Sequence, residues 1–266
     1  MTPFFDALFA PKQEIPGRVY LAVSALVGFV ILGLWCLLSY GGFVRPDFLP
    51  TPVAVIEAGI KGLASGSLIA NTIFSVGEIM GGFVLASVIA VPLGILMGSF
   101  KIVEAAVEPV TNFVRYLPVS ALIPLLILWV GIGIEEKIAV IFIGTFFQQL
   151  ILIADVSRGV SQDLLDVSYT LGADRGTVVW RVLIPATMPG AMDTLRVTLG
   201  WAWTYLVVAE IVSADKGLGY FIMNSMRGLF TDRIFLGIMV IGILGLITDQ
   251  LFRFARDRLL PWAASR

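Results

Sequence analysis

The side chains that most often carry enzyme chemistry are scarce in this sequence. There is no histidine, which removes the commonest general base and the commonest zinc ligand together. The single cysteine, Cys36, lies in an apolar run, so neither an intrachain disulfide nor a cysteine-rich metal site can form. No Gly-x-x-x-x-Gly-Lys-Ser/Thr phosphate loop, Gly-x-Ser-x-Gly elbow or His-x-x-x-His pair occurs. We therefore predict no catalytic residue, no metal site and no cofactor in this chain, and expect that it is not an enzyme.

Ionisable side chains inside apolar segments are more informative. Each costs about 2.5–3.5 kcal/mol at the centre of a bilayer, so such residues are candidates for a pathway or for buried pairs. The sequence offers Glu78, Asp193, Arg196 and Glu210. Asp193 and Arg196 are three residues apart on one helix face, which predicts an ion pair within that helix. For Glu210, near the end of its apolar segment, contact with water, a gating role and a structural role all stay open.

Uncharged polar groups also lie within the apolar segments. Polar but neutral groups suit a passage that admits an anion without holding it, although hydrogen bonding between helices explains them equally well. The predicted translocation pathway therefore comprises Gln148, Gln149, Arg196, Trp203, Thr204 and Glu210.

The composition indicates a membrane protein. Of 266 residues, 58% are hydrophobic and 14% charged, and the mean hydropathy is +0.94. A net charge of −1 provides no basic surface for nucleic acid. Because about twenty apolar residues cross the hydrocarbon core, we predict one all-α domain, residues 1–266, with six transmembrane helices. They lie near Val19–Leu38, Asn71–Met97, Val119–Ile132, Ile138–Ala154, Gly190–Val212 and Ile234–Phe252.

Prolines and glycines refine this plan. Pro118 and Pro124 interrupt the third span, which predicts a broken helix that forms a wall of the pathway. A short surface helix is expected near Val53–Leu63, and the segment Ser213–Arg233 is treated as a glycine-containing loop. Two glycine pairs have the spacing of close helix crossings: Gly77 with Gly81, and Gly94 with Gly98.

Lysine and arginine are distributed unequally between the two sides. Eleven fall on the side of the termini, among them Lys12, Arg115 and Arg266, and six on the other, which predicts that both termini are cytoplasmic. On that side, apolar residues recur at helical spacing in 162–181, which predicts two short amphipathic helices broken near Gly172. A segment of this kind suits docking onto another protein.

A motif with defined spacing occupies this segment. It begins with Asp166-Val-Ser, continues after three residues with Gly172, and ends after nine more with Val182-Leu-Ile184-Pro185. A glycine allows a sharp turn between helices, and a proline suits the start of the next helix because no amide donor is needed there. The motif resembles the EAA loop of binding-protein-dependent importer permeases: Glu-Ala-Ala, three residues, Gly, nine residues, Ile, one residue, Leu-Pro. The chain departs from it chiefly in Asp166-Val-Ser, which keeps the acid but shortens it.

The resemblance covers about residues 71–261. Four further segments, 115–124, 128–133, 195–210 and 217–219, are similar to the nitrate, sulfonate, taurine and bicarbonate group of type I ABC importer permeases. The resemblance implies a coupling helix between the fourth and fifth transmembrane helices that docks on a separate ATPase. The ATPase-coupling residues that it implies are Asp166, Leu171, Gly172, Ala173 and Pro185.

The resemblance also implies the partners and the location. We expect two ATP-binding-cassette ATPase subunits, which bind the ATP and Mg²⁺, a second permease copy, a soluble substrate-binding protein and membrane lipid, all at a bacterial inner membrane. Nitrate, bicarbonate, taurine and other sulfonates stay open as substrates, and some relatives carry vitamin precursors.

Two other classes of protein fit the sequence less well. An ion-gradient-driven transporter or channel would be favoured by paired intramembrane acids near the midplane or by an inverted repeat, and the sequence indicates neither. An intramembrane enzyme would need motifs that the sequence lacks.

Overall fold

A computed structural model of the chain describes residues 15–263, which form helices without any strand. The predicted cytoplasmic cations Lys12 and Arg266 lie outside the described residues. The helices are α1 Gly17–Tyr40, α2 Pro52–Ala64, α3 Ser67–Ser99, α4 Lys101–Val114, α5 Val119–Val130, α6 Ile134–Arg158, α7 Gln162–Thr170, α8 Arg175–Val178, α9 Ile184–Ser213, α10 Leu218–Arg227 and α11 Thr231–Leu259. A π-helical turn, Val179–Leu183, joins α8 to α9, and a 3₁₀ turn, Pro261–Ala263, follows α11.

Five helical segments are long and apolar enough to cross a membrane. They are α1, α3, α6, α11 and the continuous segment Arg175–Ser213, and the bent pair α4 and α5 brings the total to six when counted as one span. The all-α architecture with up to six spans is therefore confirmed for the described residues. The third span differs from the prediction, because it consists of two helices at 96° and not of one segment at Val119–Ile132.

The break in the third span has a local cause. Pro118 is the N-cap of α5, with φ −62° and ψ 117°, an extended conformation that a helix cannot continue through. Pro124 is accommodated within α5. The predicted interruption is confirmed, whereas α4 was not predicted, since its Lys101, Glu104 and Glu108 lower the apolar content of the segment below that of a span.

Close contact between α3 and α6 forms the centre of the bundle. A side chain at Gly82 would come within 2.8 Å of the Ile138 carbonyl oxygen and 2.7 Å of Cβ of Ile141, and one at Gly94 within 2.9 Å of Cβ of Ile153. Small residues thus let the two backbones approach, as expected for membrane helices. Gly81 and Gly98 also face α6 at close range, whereas no atom of residues 15–263 lies within 4 Å of a Cβ built at Gly77, so Gly77 is not part of this crossing.

The connecting segments hold more helix than was expected. The predicted surface helix is present as α2, whose N-cap Thr51 accepts a hydrogen bond from Ala54 N at 3.2 Å. The segment treated as a glycine loop contains α10, which begins directly after Gly217. The second amphipathic helix of the 162–181 segment does not end there but runs through the π-helical turn into α9.

Candidate functional sites

The motif around Gly172 forms a protruding turn, here called the Gly172 loop, residues 162–178. No residue of α7 is buried, and Gly172 follows it with φ +85°, a left-handed conformation that favours glycine. Leu171, just before this turn, is 82% exposed. The loop therefore exposes apolar side chains next to a turn whose backbone conformation only glycine adopts at low cost.

Hydrogen bonds hold the two sides of the Gly172 loop. Gln162 donates to Asp166 Oδ1 at 3.0 Å within α7, and Ala173 N donates to Ser168 O at 3.1 Å across the turn. Asp174 caps α8 by accepting from the backbone N–H groups of Gly176 and Thr177, both at 3.3 Å, and from the Thr177 hydroxyl. The Thr177 hydroxyl, with these backbone N–H groups, lowers the pKa of Asp174.

Four of the five predicted ATPase-coupling residues lie together in this loop. Asp166, Leu171 and Gly172 are exposed, and Ala173 is half-buried. Pro185 lies apart from them, in the first turn of α9, where its missing N–H leaves no helical hydrogen bond unmade.

A cavity of about 400 Å³ opens at the bend between α4 and α5. This bend cavity is also lined by residues of α6 and α9, including the predicted pathway residues Gln148 and Thr204. Arg115, which was counted with the cytoplasmic cations, lines the same cavity beside Gly144 and Phe147, halfway along α6. The structure thus brings two of the predicted pathway residues together and adds an arginine to them.

The other predicted pathway residues lie elsewhere. Gln149 is fully buried between helices, where its amide donates to Ser87 Oγ at 3.2 Å and Thr198 Oγ1 at 3.3 Å. Trp203 is also buried and, with Thr204, lines a separate apolar groove between α9 and α11.

The predicted pair of Asp193 with Arg196 is wrong. Arg196 Nε lies 3.1 Å from Asp249 Oδ1, and Asp193 Oδ2 lies 3.4 Å from Nη2 of Arg256, so each residue pairs with α11. A charged residue can pair either with a neighbour on its own helix face or with a residue on an adjacent helix. Here α11 lies close enough to α9 to supply an oppositely charged partner to each of the two residues. These pairs connect α9 to α11 and place Arg196 outside the bend cavity.

Glu210 does not face water. It is 1% exposed, and its carboxylate accepts from Ser75 Oγ and from Gly219 N, each at 2.5 Å. Ser75 Oγ in turn accepts from Leu218 N at 2.8 Å. Glu210 thereby connects α9 to α3 and to the first turn of α10, which favours the structural role among those left open.

Two other buried acids, Glu78 and Glu136, lie near this carboxylate. The Glu78 carboxyl group adjoins that of Glu210, and no other group among residues 15–263 donates to its oxygens. Glu136 accepts from Ser213 Oγ at 2.8 Å and lies 3.4 Å from Lys137 Nζ. We call Glu78, Glu136, Lys137 and Glu210 the buried acid cluster. The sequence did not indicate that Glu78 and Glu210 adjoin each other. This pair of acids lies near the end of α9 and not at its centre.

The sequence signals for the bend cavity were weak. Arg115, Tyr116, Ser120 and Tyr205 line it, yet none was predicted to be a pathway residue. Arg115 and Tyr116 stand directly before the Pro118 break, so a charged residue beside a broken span was the available signal.

Comparison with known proteins agrees with this architecture. Residues 90–260 match the family described as binding-protein-dependent transport system inner membrane component. A probable ABC transporter permease protein of Brucella melitensis is 36% identical over 89% of this chain and 96% of its own length. The taurine transport system permease protein TauC of Escherichia coli is 31% identical over 94% of this chain and 92% of its own length.

A solved structure supports the fold independently. An inward-facing structure of the MetNI methionine ABC transporter superposes with a TM-score of 0.63 at 21% identity, covering 76% of this chain and 98% of that chain. With the family match to residues 90–260, the apolar helices and the relatives at 31–36% identity, the chain belongs to the binding-protein-dependent transport system inner membrane components, the permeases of type I ABC importers.

Proposed function

We propose that this chain is the permease subunit of an importer that moves a small oxyanion, such as nitrate, bicarbonate, taurine or another sulfonate. A soluble binding protein delivers the solute, and two ATPase subunits supply the energy by hydrolysing ATP. The chain pairs with a second permease copy in the bacterial inner membrane and carries out no ATP chemistry, so it binds neither ATP nor Mg²⁺ itself.

The Gly172 loop is the observation that carries this proposal. Its apolar residues Leu164, Val167 and Leu171 are 45%, 57% and 82% exposed, and its glycine turn and capped helix give it a defined shape. Exposed apolar groups on a shaped protrusion are typical of a protein interface. Asp166, Leu171, Gly172 and Ala173 would contact the ATPase, whereas Pro185 would support the loop from the start of α9.

Loop position and charge suggest the orientation. An ATPase that docks on the Gly172 loop lies in the cytoplasm, which puts this end of the bundle and both termini on that side. The excess of lysine and arginine favours the same arrangement. The binding protein then docks at the opposite end, where α10 and the turn before it lie.

The substrate class rests on two observations. A relative that is 31% identical is named for taurine, a sulfonate. The bend cavity contains a cation and neutral polar groups and is lined by no acid.

The test is association with an ATPase and regulation of its activity. We would co-purify the chain with the ATPase encoded beside it and measure ATP hydrolysis with and without liganded binding protein. Leu171→Asp places a charge at the proposed contact without altering the core, since Leu171 is 82% exposed. We expect this variant to lose the ATPase on purification.

Leu229→Asp is the matched control. Leu229 is 87% exposed in the turn between α10 and α11, far along the chain from the Gly172 loop. Its φ of +57° also suits Asp better than Leu. Retention of the ATPase by Leu229→Asp but not by Leu171→Asp supports the docking proposal. Transport by the purified chain without any ATPase would instead establish the ion-gradient-driven transporter.

A further inference from the structure

The bend cavity has the charge that an anion requires. Arg115 is the only charged residue in its lining, and within residues 15–263 no Asp or Glu forms an ion pair with it. Its guanidinium donates to the Tyr116 hydroxyl at 3.1 Å and lies 4.8 Å from the centre of that ring. The Nε atom is buried without an acceptor. Arg115 is therefore held in place by an aromatic ring while most of its donors stay available.

Four neutral side chains that can donate hydrogen bonds share the cavity with this cation. Ser120, Gln148, Thr204 and Tyr205 line the cavity. In the described part of the chain, none of these four side chains forms a hydrogen bond. Five other helical threonines donate to their own helix four residues back: Thr111, Thr145, Thr187, Thr198 and Thr248. The hydroxyl of Thr204 differs from all of these in having no such acceptor, and it is exposed to the cavity.

The start of α5 adds a further positive contribution. α5 has 12 residues, begins at Val119 beside the cavity, and receives no side-chain cap from Pro118. The first backbone N–H groups of a helix have no intrahelical acceptor, and the helix dipole favours an anion there. In broken membrane helices, half-helix N-termini contact anionic groups of substrates in this way.

We propose that the bend cavity is an oxyanion-binding site within the permease itself. Arg115 supplies the charge, and Ser120, Gln148, Thr204 and Tyr205 donate hydrogen bonds to the oxygens of a carboxylate, nitrate or sulfonate group. The volume of about 400 Å³ accommodates a small solute of this class. The inference rests on the proposed import function and extends it, because the membrane subunit then takes part in selecting the solute after the binding protein releases it.

The experiment measures ligand binding separately from coupling. The purified permease–ATPase complex is placed in nanodiscs of phosphatidylcholine, and its Tm is followed as ethanesulfonate, nitrate or bicarbonate is added. A ligand that binds the folded state raises the Tm in a concentration-dependent way. We expect at least one of the three anions to do so in the wild type.

Three variants test the assignment. Arg115→Gln removes the charge and should raise the concentration for a half-maximal Tm shift about tenfold or more. Thr204→Val keeps the shape and should raise it about threefold or more, because one hydrogen bond is lost. Arg18→Gln removes an exposed cation at the start of α1 and should leave the titration unchanged. The Tm of each variant without anion verifies that it is folded.

The outcomes separate this proposal from the import function. If ATP hydrolysis responds to the binding protein but Arg115→Gln titrates like the wild type, the site is wrong while the importer stands. The same holds if none of the three anions raises the wild-type Tm. A response to glycerol phosphate alone would assign the cavity to a lipid headgroup and also overturn the site. An Arg115-dependent shift supports the site even where coupling to the binding protein fails.

Discussion

Replacement of Glu210 by alanine perturbs the most connected side chain of the buried acid cluster. Glu210 accepts 2.5 Å hydrogen bonds from Ser75 Oγ and Gly219 N, and it is 1% exposed. In Glu210→Ala the N–H of Gly219 remains buried without an acceptor, and Ser75 loses the acceptor for its hydroxyl. The hydrogen bonds that join α9 to α3 and to the first turn of α10 are lost at the same time.

The expected loss can be worked out from these two contacts. A hydrogen bond to a charged group contributes about 1.5–3 kcal/mol, and removal of one partner from a buried charged network typically costs about 3–5 kcal/mol. We therefore expect Glu210→Ala to lower the free energy of unfolding by about 3 kcal/mol.

Glu78→Gln is the matched control for this prediction. Glu78 is equally buried but receives no hydrogen bond from another group within residues 15–263. Glutamine has nearly the same shape, cannot carry a charge, and offers an N–H donor to Glu210. This variant should keep or slightly raise the free energy of unfolding.

Equilibrium unfolding of the purified chain in mixed detergent micelles, followed by helical circular dichroism, measures both variants under the same conditions. The reasoning would be refuted if Glu78→Gln were the more destabilised of the two. It would also be refuted if Glu210→Ala unfolded like the wild type, because the two short hydrogen bonds would then contribute nothing measurable.

Three further predictions concern other parts of the chain. Gly82→Val should prevent close packing of α3 on α6 and lower the yield of folded protein severalfold, whereas Gly77→Val should not, as measured by size-exclusion chromatography. A double-mutant cycle between Arg196 and Asp249 should give a coupling energy of about 0.5–1 kcal/mol in detergent unfolding, since both are only partly buried. Because the pKa of Asp174 is lowered, its cap stabilises α8 above the ordinary Asp pKa, and this stabilisation is lost as the pH falls through the folded value. The protection factors of the amides in Arg175–Val178, that is, exchange relative to the intrinsic rate at each pH, should therefore fall on acidification, and in Asp174→Ala already at neutral pH.

Each of these has a result that contradicts it. Equal yields from the two glycine variants would mean that α3 and α6 do not pack at Gly82. Coupling of Arg196 with Asp193 that exceeds its coupling with Asp249 would restore the ion pair predicted from the sequence. Amide exchange at α8 that does not change between Asp174→Ala and the wild type would mean that the cap does not hold this turn.

Features that depend on neighbouring residues were predicted well from the sequence. Apolar length located five of the spans, and the proline pair indicated a broken sixth. The turn at Gly172 was predicted from one glycine between two amphipathic runs, and its φ of +85° agrees with that reading. The same reasoning missed α4 and α10, because short amphipathic helices at the ends of spans resemble loops in composition.

Features that depend on distant residues were predicted poorly. Arg196 was assigned to a neighbour on its own helix, yet its partner is Asp249, 53 positions along the chain (249 − 196). Gln149 was grouped with Gln148, but adjacent residues on a helix point in different directions, so one lines the bend cavity and the other is buried against Ser87 and Thr198.

The sequence by itself determined the class of protein, the membrane location of its helices and the family motif around Gly172. These follow from apolar length, from charge and from the conformational demands of single residues, all of which are local quantities. Only the tertiary structure decided that Arg115 shares a cavity with Gln148 and Thr204, and that Glu78 adjoins Glu210. These contacts depend on how α3, α6 and α9 cross and on where the α4–α5 bend directs its side chains. Periodicity along one helix gives no information about how that helix is rotated relative to another.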